Sequence, residues 1–148
     1  MTTITETMSA DHRRCDEIFT LAEEQIAKSD WAKGGAQFEA FRSATEHHFA
    51  MEEEIFFPSF EQHTGQTMGP TQMMRSEHMH MRQLLLDMAA ALEEQSQQDY
   101  LGLSETLMML MQQHNMKEEQ ILYPMTDQVF AVDSEEVLQR MEQSSTGT

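Results

Sequence analysis

His47-His48-Phe49-Ala50-Met51-Glu52-Glu53-Glu54-Ile55-Phe56-Phe57-Pro58 places a histidine and a carboxylate four residues apart within an apolar helical stripe. Residues four apart share one face of a helix, so His48 and Glu52 point the same way as Phe38, Phe41, Thr45 and Ile55, which recur at three- and four-residue steps. A polar group on a buried face needs a partner there. The stretch recurs as Gln113-His114-Asn115-Met116-Lys117-Glu118-Glu119-Gln120-Ile121-Leu122-Tyr123-Pro124. A constant shift of 66 residues carries His48 onto His114, Glu52 onto Glu118, Ile55 onto Ile121 and Pro58 onto Pro124.

The same shift applied upstream pairs His12, in Ala10-Asp11-His12, with His78, in Ser76-Glu77-His78. Agreement at one offset across two helices is an internal duplication. Its chemically capable members are His12, His48, Glu52, His78, His114 and Glu118, a set of imidazoles and carboxylates suited to one or two borderline-to-hard metal ions. Leaving two carboxylates buried and unpaired costs several kcal/mol each, so six polar groups on one buried level argue for bound metal.

Taken in order, residues 2–8 are polar and expected to fray, with Ser9 as N-cap of a helix to about Ser29. Met8, His12, Cys15, Phe19, Ala22 and Ile26 line its inner face. Asp30 to Gly35 reads as a turn, and the second helix runs from about Ala36 to Phe56, where Pro58 kinks or ends it. A loop from His63 to Pro70 joins the halves. The third helix, about Thr71 to Glu94, carries Met74, His78, Met81, Leu85, Met88 and Leu92, repeating the first helix's stripe. After Ser96 to Asp99, a fourth helix turns Leu103, Leu107, Leu110, His114, Glu118 and Ile121 inward and ends near Pro124. Asp133-Ser134-Glu135-Glu136 reads as a capping box opening a tail helix over about 133–143.

The expected fold is therefore all-α: one domain, an up-down-up-down four-helix bundle over about residues 9–125, made of two helix-hairpin repeats, plus a short C-terminal helix. A pseudo-two-fold axis would bring the six site residues to a common level.

The 148 residues suffice for a real core without staples. A formal charge of −17 disfavours nucleic acid and anionic membrane surfaces as partners. Only three prolines and six glycines interrupt a Glu-, Gln-, Ala-, Leu- and Met-rich chain, as helices require. The single cysteine, Cys15, excludes an intrachain disulfide, and neither a leader nor a membrane-length apolar run is seen, so a soluble cytoplasmic protein is expected. Cys15 itself, whose repeat partner is Met81, reads as a buried core thiol. Among the other histidines, His47 lies about 100° round the helix from His48 and pairs with Gln113, a surface or supporting position. His63 falls in the loop, and His80, paired with Arg14, faces away from His78. The 15 methionines, concentrated in the second half, read as adaptable core packing.

A first-helix His, a His-x-x-x-Glu, a third-helix His and a second His-x-x-x-Glu, with Glu-Glu and a closing Pro in both copies, resemble the hemerythrin-like (HHE cation-binding) family. The ferritin-like proteins use the reverse order, Glu-x-x-His. The resemblance implies two iron ions in an oxo- or hydroxo-bridged di-iron centre, with Glu52 and Glu118 bridging both and the four histidines in terminal positions. It implies a non-haem protein that binds or reduces a small oxidant such as peroxide, oxygen or nitric oxide, in oxidative or nitrosative stress. The alternatives are a non-catalytic iron sensor or iron-handling protein, or a structural bundle holding zinc.

Two positions depart from the oxygen-carrying members. These carry a third-helix His-x-x-x-His where this chain has Arg82 four residues after His78, and a closing His-x-x-x-x-Asp in place of His114-x-x-x-Glu118. Four imidazoles replace five, which is more similar to the branch handling peroxide, nitric oxide or iron. Arg82 is expected either to stabilise an anionic bound species or to reach the surface and pair with acids. Tyr123 is expected as a supporting hydrogen-bond donor beside the ligands.

Overall fold

The computed structural model of the chain describes residues 3–65, 68–129 and 139–143. Thr3, not Ser9, opens the first helix, α1 (Ile4–Ala27): its hydroxyl accepts from the Glu6 N–H and the Glu6 carboxylate accepts from the Thr3 N–H. The stretch expected to fray is pinned for two reasons. Ile4 and Met8 are fully buried, and Asp127, far along the chain, accepts from the N–H groups of Ile4 and Thr5 at 2.8 and 3.2 Å, taking two of the donors that a helix start leaves unpaired.

The duplication extends to the turns. α1 ends with Ser29 in the left-handed region (φ 59°), and α4 (Pro70–Glu93) ends with Gln95 in the same conformation (φ 52°). In both, the next residue's N–H reaches back to close a Schellman motif, Asp30 to Gln25 and Ser96 to Ala91, each at 2.9 Å. Asp30 then caps α2 (Trp31–Met51) and Ser96 caps α5 (Gln97–Lys117). The first turn is thus shorter than the expected Asp30–Gly35, and both glycines lie inside α2. Gly34 is there for close approach: a Cβ on it would lie 2.3 Å from Cδ1 of buried Ile26.

After α2 and α5 the backbone widens into one π-helical turn, Glu52–Phe56 in the first half and Glu118–Leu122 in the second. The Phe57 N–H donates to the Glu52 carbonyl and the Tyr123 N–H to that of Glu118, both spanning five residues. Each π turn inserts one residue into the helical register. The expected stripe consequently slips by one beyond each glutamate. Ile55 is only half-buried and Ile121 is 56 % exposed, while Phe56, Phe57, Leu122 and Tyr123 are buried.

Helices then resume as α3 (Phe57–Thr64) and α6 (Tyr123–Val129). Pro58 and Pro124 sit at their starts, where a missing N–H is tolerated, so neither proline ends the chain's helical path. His63 is accordingly helical and exposed rather than in a loop, with Gly65 (φ 72°) closing α3.

α1 packs along α2, α4 along α5, α1 against α5 and α2 against α4, completing the up-down-up-down bundle. One apolar cluster fills the end with the Schellman turns, around Phe19, Phe38, Phe41, Leu85 and Tyr100. A second fills the opposite end around Ile4, Met8, Phe56, Phe57, Phe60 and Tyr123. On α5 the inner stripe is Tyr100, Ser104, Leu107, Met111 and His114, with Leu103 and Leu110 on its flank. The bulky Tyr100 ring takes the interior position, edge-on to Phe38.

The short C-terminal helix is seen over residues 139–143, where Met141 is buried in the second cluster; the Asp133 capping box lies outside the described residues. The methionine expectation holds for Met74, Met81, Met88 and Met111. Met73, Met79, Met109 and Met116 are more than half exposed, because on these helices they fall outside the inner stripe. No helix among the described residues is long and apolar enough to cross a membrane.

Candidate metal centre

Between the two apolar clusters lies a polar layer. On α1 it falls between Met8 and Cys15, and on α4 between Met74 and Met81. It contains all six residues singled out by the repeat: His12, His48, His78 and His114, none more than 4 % exposed, and Glu52 and Glu118, fully buried. Their inner atoms converge. Nε2 of His78 lies 3.0 Å and Nε2 of His48 3.6 Å from Glu52, while Nε2 of His12 and of His114 lie 3.1 and 3.3 Å from Glu118. Two groups here can hold a metal ion: Glu52, His78, His114 and Glu118, and His12, His48 and Glu118. Glu118 belongs to both.

Each imidazole is oriented from behind. Nδ1 of His48 bonds Asp11 at 2.7 Å and Nδ1 of His114 bonds Glu77 at 2.7 Å; Nδ1 of His12 bonds Glu119 at 2.7 Å and Nδ1 of His78 bonds Glu53 at 2.6 Å. The four carboxylates obey the repeat as well, since Asp11 maps onto Glu77 and Glu53 onto Glu119. An ionised carboxylate only accepts, so each Nδ1 donates, and a cation entering the layer would displace any proton on Nε2 and take that lone pair. These supporting acids were not picked out from the sequence. Their signal was present in the repeated acid-His pairs at 11–12 and 77–78 and in the second acid of each Glu-Glu.

The layer is electrostatically incomplete. Among the described residues, Glu52 Oε1, Glu118 Oε2 and Nε2 of His78 and His114 are buried without a hydrogen-bond partner. The short His78–Glu52 separation therefore lacks hydrogen-bond alignment. Buried orphan atoms of this kind are costly, and a cation between them would satisfy all four, so the residues present fit a metal.

Without one, burial and the neighbouring Glu118 charge push the Glu52 carboxyl up. Glu118 goes down, because His114 and its other partners outweigh burial. His114 is raised to about 9, burial being overcome by the charge and hydrogen bond of Glu118 with help from Glu52 and Glu77. Outside the layer, burial is likewise overcome at Asp11, drawn down to about 2 by His48 and Arg14. Glu53 is drawn down to about 2 by His78 and Arg82.

Tyr123 is fully buried with its hydroxyl in the layer, 2.7 Å from Glu52, 3.0 Å from Glu118, and 3.2 and 3.3 Å from Nε2 of His12 and His48. Arg82 does not enter the layer. Its guanidinium pairs with Glu46 and with both oxygens of Glu53, and lies over the Phe49 ring. His80 and His63 are exposed, and His47 is half-buried outside the layer. Phe49 stacks on His78 at 3.9 Å between ring centres, and Phe57 lies 5.7 Å from it, walling that side with apolar rings.

The sequence model of the Hemerythrin HHE cation binding domain matches residues 3–126. No curated protein and no solved structure matched the chain.

Proposed function

The chain belongs to the family of the Hemerythrin HHE cation binding domain, and from that premise we propose that it is a non-haem di-iron protein of the cytoplasm that binds or reduces a small oxidant such as peroxide, oxygen or nitric oxide. The observation that carries this reading is the set of four inward Nε2 atoms, each backed by its own carboxylate, around two fully buried glutamates. His12 and His48 would hold one ion and His78 and His114 the other, with Glu118, and Glu52 facing it, as bridges. Two iron ions held there would supply electrons to a bound oxidant and polarise it.

The chain's own residues do the rest. Asp11, Glu53, Glu77 and Glu119 hold the imidazoles in one tautomer, and the apolar clusters above and below keep bulk water out of the layer. With His78 followed one turn later by Arg82, which is committed to Glu46 and Glu53, the protein offers four imidazoles, leaving room for a small ligand.

Metal analysis of protein purified without added metal, with its absorption spectrum, tests the reading. About two irons per chain, and consumption of peroxide, oxygen or nitric oxide over many turnovers by the reduced protein, are expected. Iron without turnover would shift the reading to an iron sensor or iron-handling protein. A colourless chain carrying zinc alone would overturn it.

A further inference from the structure

We propose that Tyr123 is itself a ligand, binding one of the two metal ions through its phenolate oxygen beside His12, His48 and Glu118. The inference rests on the di-iron reading above and makes the two halves of the centre chemically unequal.

The distances argue for it. Donor atoms on a single ion with bonds of about 2.0–2.2 Å sit about 3 Å apart, somewhat more in a tetrahedral set. The Tyr123 oxygen lies 3.0 Å from Glu118 Oε1, 3.2 Å from His12 Nε2 and 3.3 Å from His48 Nε2. In the other half, ligand atoms show the same spacing, 3.0 Å from His78 to Glu52 and 3.3 Å from His114 to Glu118. A tyrosine serving only to cap one carboxylate would need the single contact to Glu52.

The backbone puts it there. In an uninterrupted α-helix a residue five positions on lies about 140° round from the first, so position 123 would face away from Glu118. The π turn closes the five-residue hydrogen bond from Tyr123 N–H to the Glu118 carbonyl and stacks the two residues on one side. The first half has the same turn with Phe57 at the equivalent place. Phenylalanine has no oxygen to give, so the ion at His78 and His114 gains no such ligand and keeps the position that a small oxidant would take. Binding breaks the phenol O–H bond: the oxygen lone pair goes to the metal, and the proton, which points to Glu52 at 2.7 Å in the metal-free chain, is released in exchange for the incoming cation. No electron is transferred in this step.

Resonance Raman spectroscopy of the wild-type ferric protein tests this without any variant. Excitation into a phenolate-to-iron charge-transfer band should enhance tyrosine ring modes, and both band and modes should vanish in Tyr123→Phe. Zinc added to the metal-free protein should independently produce the near-ultraviolet signature of one tyrosinate, from Tyr123 rather than Tyr100, and none in Tyr123→Phe. Two irons per chain with no tyrosine modes and no zinc-induced tyrosinate would overturn the inference and leave the di-iron reading standing. Failure to bind either metal would overturn both.

Discussion

Arg82 grips Glu53 by two guanidinium nitrogens, at 2.8 and 3.1 Å, and Glu53 in turn accepts a hydrogen bond from Nδ1 of His78 at 2.6 Å. The residue standing where oxygen carriers place another histidine thus acts on the centre through a neighbour's carboxylate. Losing such supporting partners typically weakens metal binding by about 10- to 100-fold. Glu53→Gln should lie in that range by chelator competition. Arg82→Ala should cause a smaller loss, and Glu54→Gln, at an exposed position, none. Equal affinities for Glu53→Gln and wild type would refute the orienting role.

Glu118 contributes to both metal-holding groups and Glu52 to one. Metal content measured after purification should therefore fall furthest in Glu118→Ala, next in Glu52→Ala, and stay at the wild-type level in His63→Ala and His80→Ala. Because a metal that binds only the folded state stabilises it by mass action, wild-type protein should melt higher with metal than without. In Glu118→Ala that difference should shrink. Identical content across all four variants would remove the layer as the binding site.

Burial, aided by the nearby Asp11 charge, pushes the Cys15 thiol from 9.0 up to about 12. Unfolding frees the thiol to ionise at its ordinary value, so the folded state binds the extra proton. Stability from this group is therefore intact below pH 9 and declines as pH rises from 9 towards 12. Cys15→Ala should flatten that part of the stability curve in denaturant titrations. Alkylation of wild-type Cys15 at pH 8 should require unfolding; rapid labelling of the native protein would contradict its burial.

Two adjacent glycines in α2 should respond oppositely to alanine. A methyl at Gly34 must displace the side chain of Ile26 within a closed core, and such overpacking typically costs about 1–3 kcal/mol. A Cβ at Gly35 meets nothing within 4 Å, so Gly35→Ala should add about 1 kcal/mol through helix propensity. Urea midpoints of the two variants decide this, and a stabilised Gly34→Ala would show that the helices can separate at no cost.

What could be read from the sequence is what helix geometry makes local. His48 and Glu52 must share a face because four residues is close to one turn, and the 66-residue repeat carries every such relationship into the second half. The all-helical bundle and the six layer residues follow from spacing, and the family from the resemblance that those residues carry. The supporting acids were half visible. Asp11 and Glu77 recur beside His12 and His78, yet Asp11 serves His48 and Glu77 serves His114, each 37 residues further on, a pairing that depends on how the helices are set side by side.

Tertiary structure decided the rest. Whether the backbone after Glu52 and Glu118 closes over four residues or five is a small local difference. It is settled by which side chains gain burial, and the π turns bury Phe57 and Tyr123 while turning Ile121 outward. The start of α1 is settled by Asp127, whose partners Ile4 and Thr5 lie more than 120 residues away. The sequence determined which residues could form a centre. The packing of distant segments determined that the Tyr123 hydroxyl reached the layer and the Arg82 guanidinium did not, because both outcomes depend on groups brought together only when the bundle closes.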